Sequence, residues 1–265
     1  MTDLREFNML KTMLIVLLTA ISSPILASGG FTWLGGLSHK LHIPGHTLTL
    51  LMIGSILLFI GFLYRSKIAK VSDVVVPDST ITLRSVIELY GDFIYGQCKS
   101  IIGEKEAPKY FSFISTIFIL IFISNLIGLI PGFLPPTEYL STTLAFGAAT
   151  FIYYNIQGCK EQGTLNYLKH FAGPLWYLSF LIFPIEIVSN LIRPLSLALR
   201  LRFNMMGDHI VLSEATNLMP ALLPIPFMIL GLLVSLIQAY VFTVLTMVYI
   251  EMAVEHHDHD EEHAH

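Results

Sequence analysis

Three arginines, Arg193, Arg200 and Arg202, stand inside the apolar run IVSNLIRPLSLALRLRFNMMGDHIVL, residues 187–212. A charge at membrane depth costs about 2.5–3.5 kcal/mol on insertion scales, and chains tolerate it where the charge meets a partner or a water-filled path. The run therefore marks an ion route. Glu186, Ser189, Asn190, Ser196, Asn204, Asp208 and His209 add polar groups along it. Steps of three and four place Glu186, Asn190, Arg193, Arg200 and Asn204 near one helical face. Arg202 projects about 200° around the axis from Arg200, so the two arginines cannot share one role.

Along the axis, Glu186 lies about 21 Å from Arg200 on one side and His209 about 13 Å on the other. Two titratable groups flanking a fixed cation suit two aqueous paths separated by a charge barrier. Arginine fits the barrier because it stays protonated below a pH of about 12 and cannot relay the proton itself. The bland alternative is that these charges pair within a helix bundle. Glu186 with Arg193, seven residues on, is the obvious pair. His209, likewise, could be an ordinary residue at a helix end.

The elements that must hold this segment follow from composition. The chain is 54% hydrophobic and 13% charged, against about 25% charged in soluble domains. It reads as an integral membrane protein with no soluble basic face for nucleic acid. Apolar segments cover roughly 48–64, 110–131, 141–157, 175–211 and 219–250. A span needs about 20 residues, so the last two exceed one crossing and must tilt, bend or leave the lipid. Pro184 and Pro194 are candidate bends, and Pro220, Pro224 and Pro226 mark where the last segment starts. Residues 82–103 differ: Leu83, Val86, Ile87, Tyr90, Ile94, Ile101 and Ile102 recur mostly at helical steps, with Arg84, Glu88, Asp92 and Lys99 between them. That pattern describes a helix lying on a membrane surface. The expected fold is all-α: about five membrane-embedded helices plus one surface amphipathic helix, the last two long and tilted, and not a closed bundle.

Residues 1–27 carry a charged start, the run MLIVLLTAISSPIL and small residues near Ala27. This reads as a cleaved signal peptide, the alternative being an uncleaved leader helix. Residues 28–253 form a single membrane domain and 254–265 a tail. Arg65, Lys67, Lys70, Arg84, Lys99, Lys105 and Lys109 fill the first long connection, and Lys160 and Lys169 the one after the third span. The connections at 132–140 and about 210–220 hold neither Lys nor Arg. The positive-inside rule makes the basic connections cytoplasmic. The N-terminus after cleavage is then on the far side, and the C-terminus is cytoplasmic. Cys98 and Cys159 lie on the reducing side and form no metal-type pair. The final residues EHHDHDEEHAH are of metal-binding composition, but no spacing closes a site. They read as a solvated tail, with no metal and no cofactor expected.

The run SLALRLRFNMMGDHIV at 196–211 and the later LIQAYVFTVLTMVYIEMA at 236–253 resemble subunit a of F-type ATP synthases, of the bacterial kind. The family pattern is S-L-x-L-R-L-F-G-N-x-x-x-G-[EH], followed by a helix with Q-A-[FY]-[IV]-F-x-x-L-x-x-x-Y. FTWL at 31–34, SNLIGLIPGFLPPT at 124–137 and STTLAF at 141–146 extend the likeness over the chain after the leader. The resemblance implies a non-catalytic stator subunit in a bacterial inner membrane, beside a ring of c subunits and the b-type peripheral stalk. Arg200 would be the essential arginine facing the ring. Asn204, Gln238 and His209 would belong to the far-side half-channel, Glu186, Ser189 and Asn190 to the cytoplasmic one, and Asn125 to a polar position on the second span.

Departures from the pattern are equally informative. Arg202-Phe203 replaces the family's Phe-Gly, and Asp208 stands where glycine is usual. Gly231 occupies a position where some relatives hold a histidine or acid, which leaves His209 to find Asp208 or Glu138 instead. Gly128 stands where some relatives have an acid. Arg193, Arg202, Asp208 and Glu138 are therefore accessory candidates. Relatives conduct protons or sodium, and the residue that selects between them lies largely on the c subunit. Two other classes were weighed. A secondary transporter should show paired halves or repeated broken helices, and none is evident. A purely structural membrane subunit does not account for Arg200, Glu186 and His209 in one span. No Walker-type nucleotide loop is present.

Overall fold

The computed structural model describes residues 32–68, 82–130, 132–163, 176–219 and 222–254. The leader at 1–27 and the tail beyond Val254 lie outside the described residues. Seven α-helices occur in the order α1 (Gly35–Leu41), α2 (Gly45–Ile68), α3 (Leu83–Ile102), α4 (Ala107–Gly128), α5 (Leu140–Gln162), α6 (Trp176–Leu218) and α7 (Pro224–Val254), with a 3-10 turn at Pro136–Glu138 before α5. The all-α membrane architecture expected from composition is what the chain adopts.

Among the described residues four helices are long and apolar enough to cross a membrane: Gly45–Arg65 in α2, α4, Ile182–Leu218 in α6, and α7. The third expected span, α5, has 23 residues, about 34 Å at 1.5 Å per residue. It is long enough, but Asn155 and Gln157, together with three threonines, Thr142, Thr143 and Thr150, leave it less apolar than the other four. It turns those three residues inward, buried, and packs against both α6 and α7. Neighbouring helices thereby cover what lipid would reject.

α6 is a single helix of 43 residues that carries Pro184 and Pro194 inside it. At about 64 Å it is twice the roughly 30 Å hydrocarbon thickness. The expected connection at about 210–220 is thus helix as far as Leu218. Residues 213–218 read as a loop from polarity alone, yet Ala215 is buried and Thr216 returns its hydroxyl to the Leu212 carbonyl.

Pro194 shows how a proline is accommodated. Lacking an N–H, it leaves the Asn190 carbonyl without its intrahelical donor. The single O–H of Tyr154 on α5 is directed here: it donates to Asn190 Oδ1 at 2.5 Å, with the carbonyl as a weaker second acceptor at 3.4 Å. Asn190 Nδ2 in turn donates to Asn155 Oδ1 at 3.3 Å. The backbones approach closely here. A Cβ on Gly147 would sit 2.7 Å from the Pro194 carbonyl oxygen, so only glycine permits this seam.

α3 is capped by Thr82, whose hydroxyl accepts from the Ser85 N–H. It buries Ile94 and Cys98 while Val86, Leu89 and Phe93 stay exposed. Tyr90 donates to the Ser115 carbonyl of α4 at 2.5 Å, and the Tyr240 hydroxyl of α7 to Gln97 at 2.9 Å. The surface helix is thereby fastened to two membrane helices. At the same end, Lys109 pairs with Glu161, and Gln162 donates to the Ala253 carbonyl at 3.0 Å. The connection containing the 3-10 turn gathers at the opposite end, where His46 of α2 stacks on Tyr139.

Candidate functional site

α6 presents two different faces. Arg200 and Asn204, about 40° apart around the axis, are exposed. Among the described residues no carboxylate forms an ion pair with Arg200. Exposed apolar residues adjoin them in sequence: Phe203 beside Asn204 on α6 and Ile237 beside Gln238 on α7. Asn204 Nδ2 donates to Gln238 Oε1 at 2.6 Å, and Gln238 itself is buried. The two family positions Asn204 and Gln238 are therefore joined across α6 and α7, beside an uncompensated cation.

The second face carries Arg202 and His209, seven residues and about 20° apart. Both reach Glu138 in the 3-10 turn. Arg202 Nε donates to the Glu138 carbonyl at 3.3 Å, and His209 Nδ1 lies 3.2 Å from Glu138 Oε2. His209 Nε2 lies 2.9 Å from the Gly128 carbonyl. A carbonyl only accepts, so Nε2 carries a hydrogen. Nδ1 and the carboxylate must then share one proton between them, as imidazolium with carboxylate or as imidazole with carboxylic acid. This pair holds a proton that can move within it.

Beyond His209 a small pocket is lined by Asn125, Gly128, Asp208, His209 and Gly231, closed by Met205 and Phe227. Asp208 Oδ2, Asn125 Oδ1 and Ser235 Oγ are buried with no protein partner. Asn125 Nδ2 reaches the Ser235 carbonyl at 3.5 Å. Of the three unpartnered groups, Asp208 and Asn125 line the pocket, so two acceptors stand beside His209 among otherwise apolar groups. Of the two substitutes weighed for His209, Glu138 makes the contact, whereas Asp208 points toward Gly231, 4.0 Å from where a Cβ would stand.

On the other side of Arg200 the expectations hold less well. Asn190 does not share the face of Arg200: it is buried against α5, tied to Tyr154 and Asn155. Steps of three and four let positions drift by 40–60° each, and over ten residues that drift turned Asn190 into the core. Arg193 forms no ion pair with Glu186; its guanidinium lies over the Tyr249 ring, 5.5 Å from the centroid. An aromatic face on α7 thus takes the cation that the sequence offered to Glu186. Glu186 and Ser189 are half-buried with no side-chain hydrogen bond to another described residue. Sequence reasoning missed Tyr154, Asn155, Ser235 and Tyr249. Their only signal was a polar group at an inward position of an apolar helix.

A family model described as ATP synthase A chain matches residues 47–251. The chain belongs to that family. ATP synthase subunit a of Bdellovibrio bacteriovorus is 44% identical over 218 residues, 82% of this chain and 94% of the relative. Subunit a of Helicobacter hepaticus is 40% identical over 236 residues, 88% and 98% of the two chains. That of Sorangium cellulosum is 38% identical over 195 residues, 74% and 76%. The matched span in this family takes in α6 and nearly all of α7, including Arg200, Asn204, His209 and Gln238.

Proposed function

We propose that this chain is the proton-conducting stator subunit of the membrane sector of a rotary ATP synthase in a bacterial inner membrane. It stands against a ring of c subunits, each with one carboxylate, and beside the b-type peripheral stalk. The observation that carries the reading is Arg200, an exposed arginine in a long apolar helix with no carboxylate partner among the described residues. A cation left unpaired at membrane depth is costly, and a passing carboxylate on a ring would supply the counter-charge. Near Arg200 the ring carboxylate gives up its proton. The guanidinium cannot carry that proton across, so flow passes only by rotation.

Protons reach the ring from the far side through the His209 pocket and the Asn204–Gln238 bridge. They leave to the cytoplasm past Ser189 and Glu186. Each charge crossing is worth about 2.3 kcal/mol per 100 mV, and rotation sums several such steps for each ATP made elsewhere in the complex. The chain itself performs no bond chemistry. With the N-terminus on the far side and the C-terminus in the cytoplasm, the basic ends of α3 to α5 face inward.

Cysteine cross-linking tests the ring-facing assignment. Gly207 lies seven residues from Arg200 on the same azimuth, with open space where a Cβ would stand. Gly207→Cys is expected to cross-link to a cysteine introduced on the outer helix of the c subunit. Leu58→Cys on the exposed side of α2 is expected not to. Cross-linking at position 58 and none at 207 would overturn the assignment.

A further inference from the structure

The arginine that breaks the family pattern meets the backbone of a turn, not a charge. The 3-10 turn has three residues and no side-chain cap, yet it sits where α2, α4, α5 and α6 converge, with Pro136 and Thr137 buried. Glu138 ends it and touches α6 twice: its carbonyl accepts from Arg202, and its carboxylate meets His209, about 10 Å farther along the same face. One residue thereby spans two turns of α6. Rotation of that residue would break both contacts together.

We propose that Arg202 is a positioning residue for the far-side path: by holding the Glu138 carbonyl it keeps the Glu138 carboxylate on His209, and this pair takes protons from far-side water. The proposal rests on the function given above. The transfer balances without any other reactant. A proton from water binds one Glu138 oxygen and passes to His209 Nδ1, leaving imidazolium and carboxylate. The pair then gives one proton up toward the Asp208 carboxylate of the pocket, returns to imidazole and carboxylate, and takes the next. The other groups around the pair are few. α6 contributes Arg202 and Asp208; α2 contributes His46, stacked on the Tyr139 ring with centroids 3.9 Å apart. α4 and α7 contribute Asn125, Gly128 and Gly231, none ionisable, and the first turn of α5 has no acid.

The test uses vesicles containing the assembled complex, with passive proton flux read against pH on the far-side face. Arg202→Met, which removes the donor while keeping an unbranched side chain, and Glu138→Gln are each expected to lower flux about tenfold, the worth of one charge-assisted hydrogen bond in a rate. Both should displace the pH profile in the same direction. The double variant should fall within about twofold of Glu138→Gln alone, the tolerance of non-additive neighbours. Arg202→Lys keeps a donor for the carbonyl and should restore most of the flux. It also preserves the comparison should Arg202→Met fail to assemble. Losses that multiply in the double variant would show that Arg202 acts on its own, not through Glu138. Unchanged flux in Glu138→Gln would remove the carboxylate from the path. Arg200→Ala serves as the separate control: ATP synthesis surviving there overturns the parent reading, whatever Arg202 does.

Discussion

Removing one oxygen atom from Tyr154 tests how α6 is held. The Tyr154 hydroxyl serves two acceptors on buried Asn190: the side-chain oxygen at 2.5 Å and the main-chain carbonyl at 3.4 Å that Pro194 leaves undonated. Tyr154→Phe keeps the ring and strands both. A buried acceptor left unpaired costs about 1–3 kcal/mol, and interhelical hydrogen bonds in membranes average nearer 0.6 kcal/mol, so a loss of about 1–2 kcal/mol is expected. Reversible denaturation of the purified subunit in mixed micelles reads it directly. The structure also divides the loss. Pro194→Ala returns an N–H to the Asn190 carbonyl, so in the Tyr154→Phe background it should recover the carbonyl's share and leave the side-chain share unrecovered. A change under about 0.3 kcal/mol for Tyr154→Phe, below what a lost cap or hydrogen bond gives, would refute the reasoning. So would a Pro194→Ala effect identical in both backgrounds.

Gly147→Ala should cost about 1–3 kcal/mol, as overpacking does, because its Cβ would meet the Pro194 carbonyl oxygen at 2.7 Å and backbone cannot give way. The same change at Gly54, which has open space, should be nearly silent in the same denaturation measurement. Burial pushes the Cys98 thiol up to about 11, and the thiolate is the reactive form. Maleimide at pH 8 should therefore label half-buried Cys159 first, and buried Cys98 far more slowly. Because the shift is upward, Cys98 labelling should keep rising with pH well beyond 8. Glu186→Cys should react with membrane-impermeant thiol reagents added on the cytoplasmic side; inertness there would remove Glu186 from the release path.

The helices were legible because apolar run length and the period of 3.6 are local properties, and Arg200 stood out because charge at membrane depth is rare. The helix α3 was legible from its alternation of Arg84, Glu88, Asp92 and Lys99 with apolar residues. What eluded the sequence lies between elements. Asn190 reads as a polar residue in step with Arg200, and only the Tyr154 hydroxyl across the seam explains why it turns inward. Arg193 suggested Glu186 as its partner, but its guanidinium lies over the Tyr249 ring, 56 residues away. Arg202 had no partner to find by charge, since it donates to a main-chain carbonyl that every residue possesses. The end of α6 was set too early because Ser213, Glu214 and Asn217 look like loop, while burial of Ala215 extends the helix past them.

The central claim is that Arg200 separates two proton paths and couples them through a ring. Replacing it with alanine in vesicles that retain the assembled complex, and measuring proton-driven ATP synthesis, tests that claim most directly. The account predicts no synthesis above background, with Arg202→Ala reduced but active beside it. Synthesis at the parent rate in Arg200→Ala, with the ring still bound, would contradict it.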